Sequence, residues 1–345
     1  MARHVLQGAR RVEDAAATRM PRHDAHEAID SNAVSGPIAV PRREPLGDTG
    51  FEIHPLALGG SGLGRALGDG DGDAILDRFV ALGGNLITAI GDDADGGSER
   101  LIGSWMHERG TRDRVHVITE VGRDPQRPGL SPAAIAASVD ASLTRLATDR
   151  IDLLCFHGED PDTPLEESLG AVDALVRSGK VLALGASHFS PERLIEARVL
   201  AANGLPRFRA ITTPYNLMQR RGFEGATELV AHAQALPVLP SSALANGFLA
   251  GGIRRRTDAS RDAHGARRTA HLGRRGSRVL RALDEVAAAH RATPATVAIA
   301  WLLARPTVAA PVASVSRPEQ VDALLAASSL RLQRSELVEL DRASA

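Results

Sequence analysis

A chain of 345 residues, 43% hydrophobic and 24% charged, is long enough to bury one large core. A net charge of −1 removes any general electrostatic case for nucleic acid or an anionic membrane as partner, and a single cysteine, Cys155, excludes an internal disulfide framework. No apolar run reaches the roughly 18 residues that a membrane span needs, which leaves a small molecule as the expected ligand. Aromatic residues make up only 3%, so the core rests on Ala, Val, Leu and Ile. There is one tyrosine, Tyr215, and one lysine, Lys180.

Residues 1–40 are rich in Arg, His, Asp and Ala and lack long hydrophobic periodicity. They read as a flexible tail with a short helix over Arg11–Arg19. Arg10-Arg11 is not followed by the apolar segment of an export signal, so a cytoplasmic location is expected. Residues 41–345 read as a single domain. It opens with Arg43–His54, where Gly47-Asp48 and Gly50 point to a β-hairpin that could cap one end of a barrel.

From Pro55 onward, short apolar runs alternate with amphipathic ones. The expected strands are Leu56–Leu58, Leu86–Ala89, Val115–Thr119, Ile151–His157, Val181–Ala186, Ala210–Thr213, Val238–Pro240 and Val308–Pro311. Several are continuously apolar, as strands of a parallel sheet covered by helices should be. Cys155 lies in one of them and reads as a buried, inert thiol. Ser131-Pro132, Ser190-Pro191 and Thr293-Pro294 carry N-cap and first-turn chemistry, opening helices over Ala133–Ala147, Arg193–Asn203 and Ala295–Leu303. Eight strand–helix units fit an α/β (β/α)8 TIM barrel. The rival is an open doubly wound sheet with a Gly-rich phosphate turn at Gly59–Gly64, but Arg65–Asp73 is rich in Gly and Asp and reads as a loop, not the helix that turn requires. Asn246–Gly276 reads as a long irregular loop after the seventh strand. Its arginines Arg254–Arg256, Arg267-Arg268 and Arg274-Arg275 make it either a solvated loop or a basic lid over an anionic ligand.

The segments GGNLITAIGDDADGGSERLIG, DRIDLLCFHGEDPDTPLEESLGAVDALVRSGKVLALGASHFSPERL, PYNLMQR, SSALANGFLAGG and TPATVAIAWLLARPTVAAPVASVSRPEQV together resemble the aldo-keto reductase family. The resemblance runs from about Arg42 to Arg342 and implies the barrel. It also implies carbonyl reduction with NADPH, in which a Tyr supplies the proton, a Lys and an Asp tune that Tyr, and a His orients the carbonyl. Aligned without gaps, the family Asp position is Thr88, the Tyr position Asp93 and the Lys position Glu120; the His is kept as His157. The tetrad therefore departs from the family pattern. Of the nicotinamide-binding residues, Ser187 is kept, while His188, Thr212 and Ser241 stand where the family has Asn, Gln and an aromatic residue. Ser242, Leu244 and Gly247 match the pyrophosphate loop, and Ser316, Arg317 and Gln320 match the segment that grips the adenosine 2′-phosphate. NADP is the cofactor these matches imply.

Asp93, Glu120, His157 and His188 all map to strand C-terminal ends or the loops beyond them, where barrel enzymes do their chemistry. Glu120 is expected to pair with His157 or to accept a hydrogen bond from Thr88. Carboxylates and an imidazole at one mouth suit proton shuttling. The leading expectation is thus a barrel repurposed for non-redox acid–base chemistry, of dehydratase, lyase, isomerase or cyclase type, on a small carbonyl, polyol or sugar-like metabolite. An atypical NADPH-dependent carbonyl reductase and a non-catalytic nucleotide or ligand sensor are the alternatives. The His and carboxylate spacing matches no metal motif, so no metal is expected. Tyr215 reads as structural, Lys180 belongs to a turn at the far end of its strand, and the oligomeric state is not legible.

Overall fold

A computed structural model describes residues 43–63, 69–89, 96–258 and 263–345. The tail expected over 1–40 and Asp93 lie outside these residues. Strands β1 (Glu44–Pro45) and β2 (Glu52–Ile53) pair antiparallel, the expected hairpin. Gly47 (φ 54°) lets the chain turn there in the left-handed region.

The chain then runs through β3 (Ala57–Gly59), α1 (Asp69–Ala81), β4 (Leu86–Thr88), α2 (Gly97–Arg109), β5 (His116–Val121), a small hairpin of β6 (Arg123–Asp124) and β7 (Arg127–Pro128), and α3 (Pro132–Leu146). It continues through β8 (Ile151–His157), α4 (Leu165–Arg177), β9 (Val181–Ser187), α5 (Pro191–Ala202), β10 (Phe208–Pro214), α6 (Ala226–Ala233) and β11 (Val238–Ser241). Helices α7 (Ala263–Thr269), α8 (Arg274–His290) and α9 (Pro294–Leu303) precede β12 (Val312–Ala313), and α10 (Glu319–Leu325) and α11 (Arg334–Ser344) end the described chain. Eight strands pair in parallel in the order β11-β10-β9-β8-β5-β4-β3-β12. Val238 closes the ring by donating to the Thr307 carbonyl at 2.8 Å and accepting from the Ala309 N–H at 2.9 Å. The architecture is a (β/α)8 barrel.

Ser131, Ser190 and Thr293 each accept the N–H three residues on, and a proline follows each, so α3, α5 and α9 start where their caps are written. Three expectations shift. The eighth strand is Val312–Ala313; the Val308–Pro311 run contributes the isolated bridge of Val308 to Val238 and a Pro311 carbonyl that accepts the Ala57 N–H at 3.0 Å. The Gly/Asp-rich run before Ile75 is helical from Asp69, because Gly72 lets α1 lie against Leu101 of α2, whose Cδ1 would sit 2.6 Å from an added Cβ. The Asn246–Gly276 segment is not a continuous loop: it holds 3-10 turns at Phe248–Ala250 and Arg256–Asp258, then α7 and the start of α8.

Two apolar layers hold the barrel. Between sheet and helices lies the larger one, with Phe79, Trp105, Phe156, Phe248 and Trp301 fully buried. Inside the barrel, Ala57, Leu86, Ile118, Leu153, Cys155, Ala183, Ala210 and Leu239 pack with Leu46, Phe51 and Ile53 of the hairpin. The hairpin therefore plugs the end where the strands begin. Asn85 locks it there, accepting the His54 N–H at 2.8 Å and donating to the Glu52 carbonyl at 2.8 Å. No helix among the described residues is long and apolar enough to cross a membrane.

Candidate active site

Side chains alternate faces along a strand, so the inner-core residues determine what stands one layer above them. Two residues on from Leu86, Ile118, Cys155, Ala210 and Leu239 come Thr88, Glu120, His157, Thr212 and Ser241; Ser187 follows Ala183 by four. These polar residues share the inward parity of the apolar plug and form a rim at the C-terminal mouth. Register puts His157 beside Ser187 and Ser187 beside Thr212.

The rim's central contact joins β5 to β8: His157 Nδ1 lies 3.1 Å from Glu120 Oε2. Their side chains are 21% and 23% exposed, so a solute can reach the pair. Of the two partners expected for Glu120, the structure places His157. The Thr88 hydroxyl instead ties β4 to β3, accepting from the Gly60 N–H at 3.3 Å and facing the Leu58 carbonyl at 3.5 Å. His188 stacks on His157, with centroids 5.3 Å apart and planes 18° from parallel. It sits in the left-handed region (φ 60°), with its N–H on the Thr212 carbonyl at 3.1 Å. Burial, then the charges of His157 and Arg123, push the His188 imidazole below its ordinary range. Arg123 Nε donates to the His157 carbonyl at 3.3 Å. Burial, aided by the Glu120 charge, pushes the Cys155 thiol up, as suits an inert core cysteine.

Tyr215 and Lys180 stand elsewhere. The Tyr215 hydroxyl donates to Glu224 Oε1 at 2.8 Å, and the ring packs against Phe223 and Trp301. Burial and Glu224 push its phenol up, away from proton donation. Lys180 lies at the start of β9, 2.7 Å from Asp140.

The residues matched to a nucleotide site occupy two loops. In the loop after β11, Ser242, Ala245, Asn246 and Gly247 all have positive φ (52°, 49°, 56° and 88°), and Asn216 Nδ2 holds the Ser242 carbonyl at 2.8 Å. Arg268 reaches over this loop, its Cδ 3.8 Å from where a Cβ would stand on Gly247. In the loop after β12, Gln320 Oε1 accepts from the N–H groups of Ser316 (2.9 Å) and Arg317 (3.2 Å) and meets Ser316 Oγ at 3.2 Å. Arg317 is exposed, and its guanidinium meets no carboxylate among the described residues. Arg254 of the 246–276 segment is committed to structure, binding Asp284 at 2.7 Å and the Gly251 carbonyl at 2.8 Å. No group of His, Cys, Asp and Glu among the described residues is placed to hold a metal ion.

Beside His188 opens a cavity of about 1170 Å³ that sequence reasoning missed. Phe189, Met218, Arg221 and Arg275 help line it. The signal was available: PYNLMQRR directly follows the sixth barrel strand and so lies at the same mouth.

The model of the Aldo/keto reductase family matches residues 55–345. An aryl-alcohol dehydrogenase of Pestalotiopsis microspora is 29% identical over 310 residues, spanning 84% of this chain and 78% of that protein. A norsolorinic acid reductase of Emericella nidulans is 29% identical over 311 residues, spanning 85% and 78%. The aldo-keto reductase YhdN of Bacillus subtilis is 32% identical over 215 residues, spanning 60% and 63%. These relatives, named as reductases and a dehydrogenase, overturn the expectation of non-redox lyase or isomerase chemistry. The physical flaw in that expectation is that a carboxylate–imidazole pair supplies a proton as readily to a reduction as to an elimination; it never excluded a hydride from a bound cofactor. From the barrel, the rim and these matches together, the chain belongs to the aldo/keto reductase family.

Proposed function

We propose that this chain is an oxidoreductase that interconverts a carbonyl and an alcohol with NADP(H), using His157 as the proton donor and acceptor. The observation that carries this reading is the His157–Glu120 contact of 3.1 Å at the barrel mouth. Glu120 engages Nδ1 and so assigns Nε2 to the reacting oxygen; its charge stabilises the imidazolium that precedes proton delivery. His188 stacks on His157 at 5.3 Å, and burial together with the charges of His157 and Arg123 disfavours protonation of His188 itself. General acid help of this kind is typically worth about 10² to 10⁴ in rate. Thr88 completes the polar rim in this reading.

The donor set fits the cofactor. Ser187 and Thr212 would offer hydroxyls to the carboxamide beside His188, and Ser242, Leu244 and Gly247 with Arg268 would hold the pyrophosphate. Ser316, Arg317 and Gln320 would hold the 2′-phosphate, where the planar fork of Arg317 makes paired charge-assisted bonds to a dianion. When bound, the reduced cofactor supplies a hydride to the carbonyl carbon; His157 supplies the proton to the oxygen, and the alcohol results. Phe189 and Met218 offer apolar contact to an aromatic substrate, in keeping with the aryl alcohol and norsolorinic acid for which two relatives are named.

Incubation with NADPH deuterated at the transferable position and a panel of aromatic aldehydes tests this reading. Deuterium at the carbinol carbon, read by mass spectrometry, is the expected result. No labelled alcohol from any aldehyde, together with no NADP⁺-dependent alcohol oxidation, would refute it.

A further inference from the structure

The cavity beside His188 has an uneven charge distribution. Its acidic side chains are engaged by the protein's own donors, and Ala345, whose terminal oxygen accepts from Arg278 at 3.5 Å, lines it as well. Glu159 accepts the Ser190 N–H at 2.7 Å. Glu224 takes the Tyr215 hydroxyl and Arg220, both at 2.8 Å. Asp341 takes Trp301 Nε1 at 3.0 Å and Arg305 at 2.5 Å, and lies 3.3 Å from Arg220. Two of its cations have no such match. Arg275 donates only to neutral acceptors, the carbonyls of Ser344, Met218 and Leu217. Arg221 is exposed and meets no carboxylate among the described residues. Burial depresses the Arg275 guanidinium, and the charges of Arg221, Arg220 and Arg278 act in the same direction.

We propose that this cavity is an anion site in which Arg221 binds a carboxylate or phosphate within the field of Arg275, next to His188. The donors of Arg275 are already committed, so it acts through its charge; Arg221 presents the fork that pairs with two anion oxygens. Phe189 and Met218 offer the apolar part of the ligand a surface. Under the oxidoreductase reading, on which this extension rests, the substrate is an aromatic carbonyl compound bearing an acidic group. The anion site itself stands independently of that reading.

Calorimetric titration of inorganic phosphate into the Arg317→Gln protein, which removes the competing cofactor phosphate site, tests the proposal. Saturable binding in the millimolar range is expected, weakened about tenfold when Arg221→Gln is added. Phosphate binding that Arg221→Gln leaves unchanged, or no binding at all, would overturn it. The kcat/KM ratio of 4-carboxybenzaldehyde to benzaldehyde then identifies the source. A ratio well above one that falls about tenfold in Arg221→Gln makes the anion part of the substrate, whereas phosphate binding with a ratio near one makes it a separate small anion; both support the site. If neither aldehyde consumes NADPH while phosphate still binds through Arg221, the oxidoreductase reading fails and the anion site stands.

Discussion

Glu120 and His157 meet because each continues the inward parity of a strand whose preceding inward residue, Ile118 or Cys155, is part of the barrel's apolar plug. That geometry makes Glu120 a positioning residue for His157. Glu120→Gln keeps an acceptor near Nδ1 but removes the charge. It is expected to lower kcat about tenfold and to move the alkaline limb of the kcat profile to lower pH; a profile of unchanged shape would make Glu120 merely structural. At the other end of the site, Arg317→Ala is expected to weaken NADPH binding at least tenfold while leaving NADH binding nearly untouched, read by fluorescence titration. The identities of both residues were legible in the sequence through the family resemblance. The role of Thr88 was not, because its hydroxyl serves the backbone of a strand 30 residues away, and such a contact leaves no spacing to read.

Among the elements, α2 is the joint on which β5 depends. Glu99, fully buried, accepts from Thr119 at 2.7 Å and from Arg145 at 2.5 Å, linking α2 to β5 and α3. Thr119 is the neighbour of Glu120, so this network sets the strand that carries the site. Breaking a buried pair strands the remaining charge, so Glu99→Ala is expected to cost about 3–5 kcal/mol in urea unfolding. Helix starts were legible wherever a capping side chain precedes a proline, as at Ser131, Ser190 and Thr293. The start of α1 was not. Its glycines argue against helix locally, and the contact of Gly72 with Leu101 that favours helix is tertiary. The eighth strand was misplaced for a similar reason: Val308 does touch the barrel, at Val238, but the paired strand begins at Val312.

On the scale of the whole molecule, the hairpin plug seals one end of the barrel and leaves the other open for chemistry. His54, at the edge of the plug, is buried, and neither of its ring nitrogens has a hydrogen-bond partner among the described residues. Burial, then the charge of Arg43, pushes its imidazole from 6.5 down to about 4. The unfolded chain therefore takes up this proton at higher pH than the folded one. The stability His54 contributes is complete above about pH 6.5 and is lost as pH falls toward about 4, a swing of about 3 kcal/mol. His54→Gln should flatten that part of the pH–stability curve, measured by urea unfolding between pH 4.5 and 7. The barrel and its mouth were legible because alternating apolar runs and capped helices repeat along the chain. Of the cavity, only the PYNLMQRR run after the sixth barrel strand was open to sequence reading, since the other walls come from loops and helices brought together by the closed barrel.

The central claim is that an imidazole oriented by a carboxylate supplies the proton for hydride transfer in this barrel. Single-turnover oxidation of bound NADPH by an aromatic aldehyde, followed by absorbance in the wild type and in His157→Gln, tests it most directly. Wild-type protein should oxidise NADPH, and His157→Gln should bind NADPH with unchanged affinity but turn over about 10² to 10⁴ times more slowly. Equal single-turnover rates in the two proteins would contradict the account.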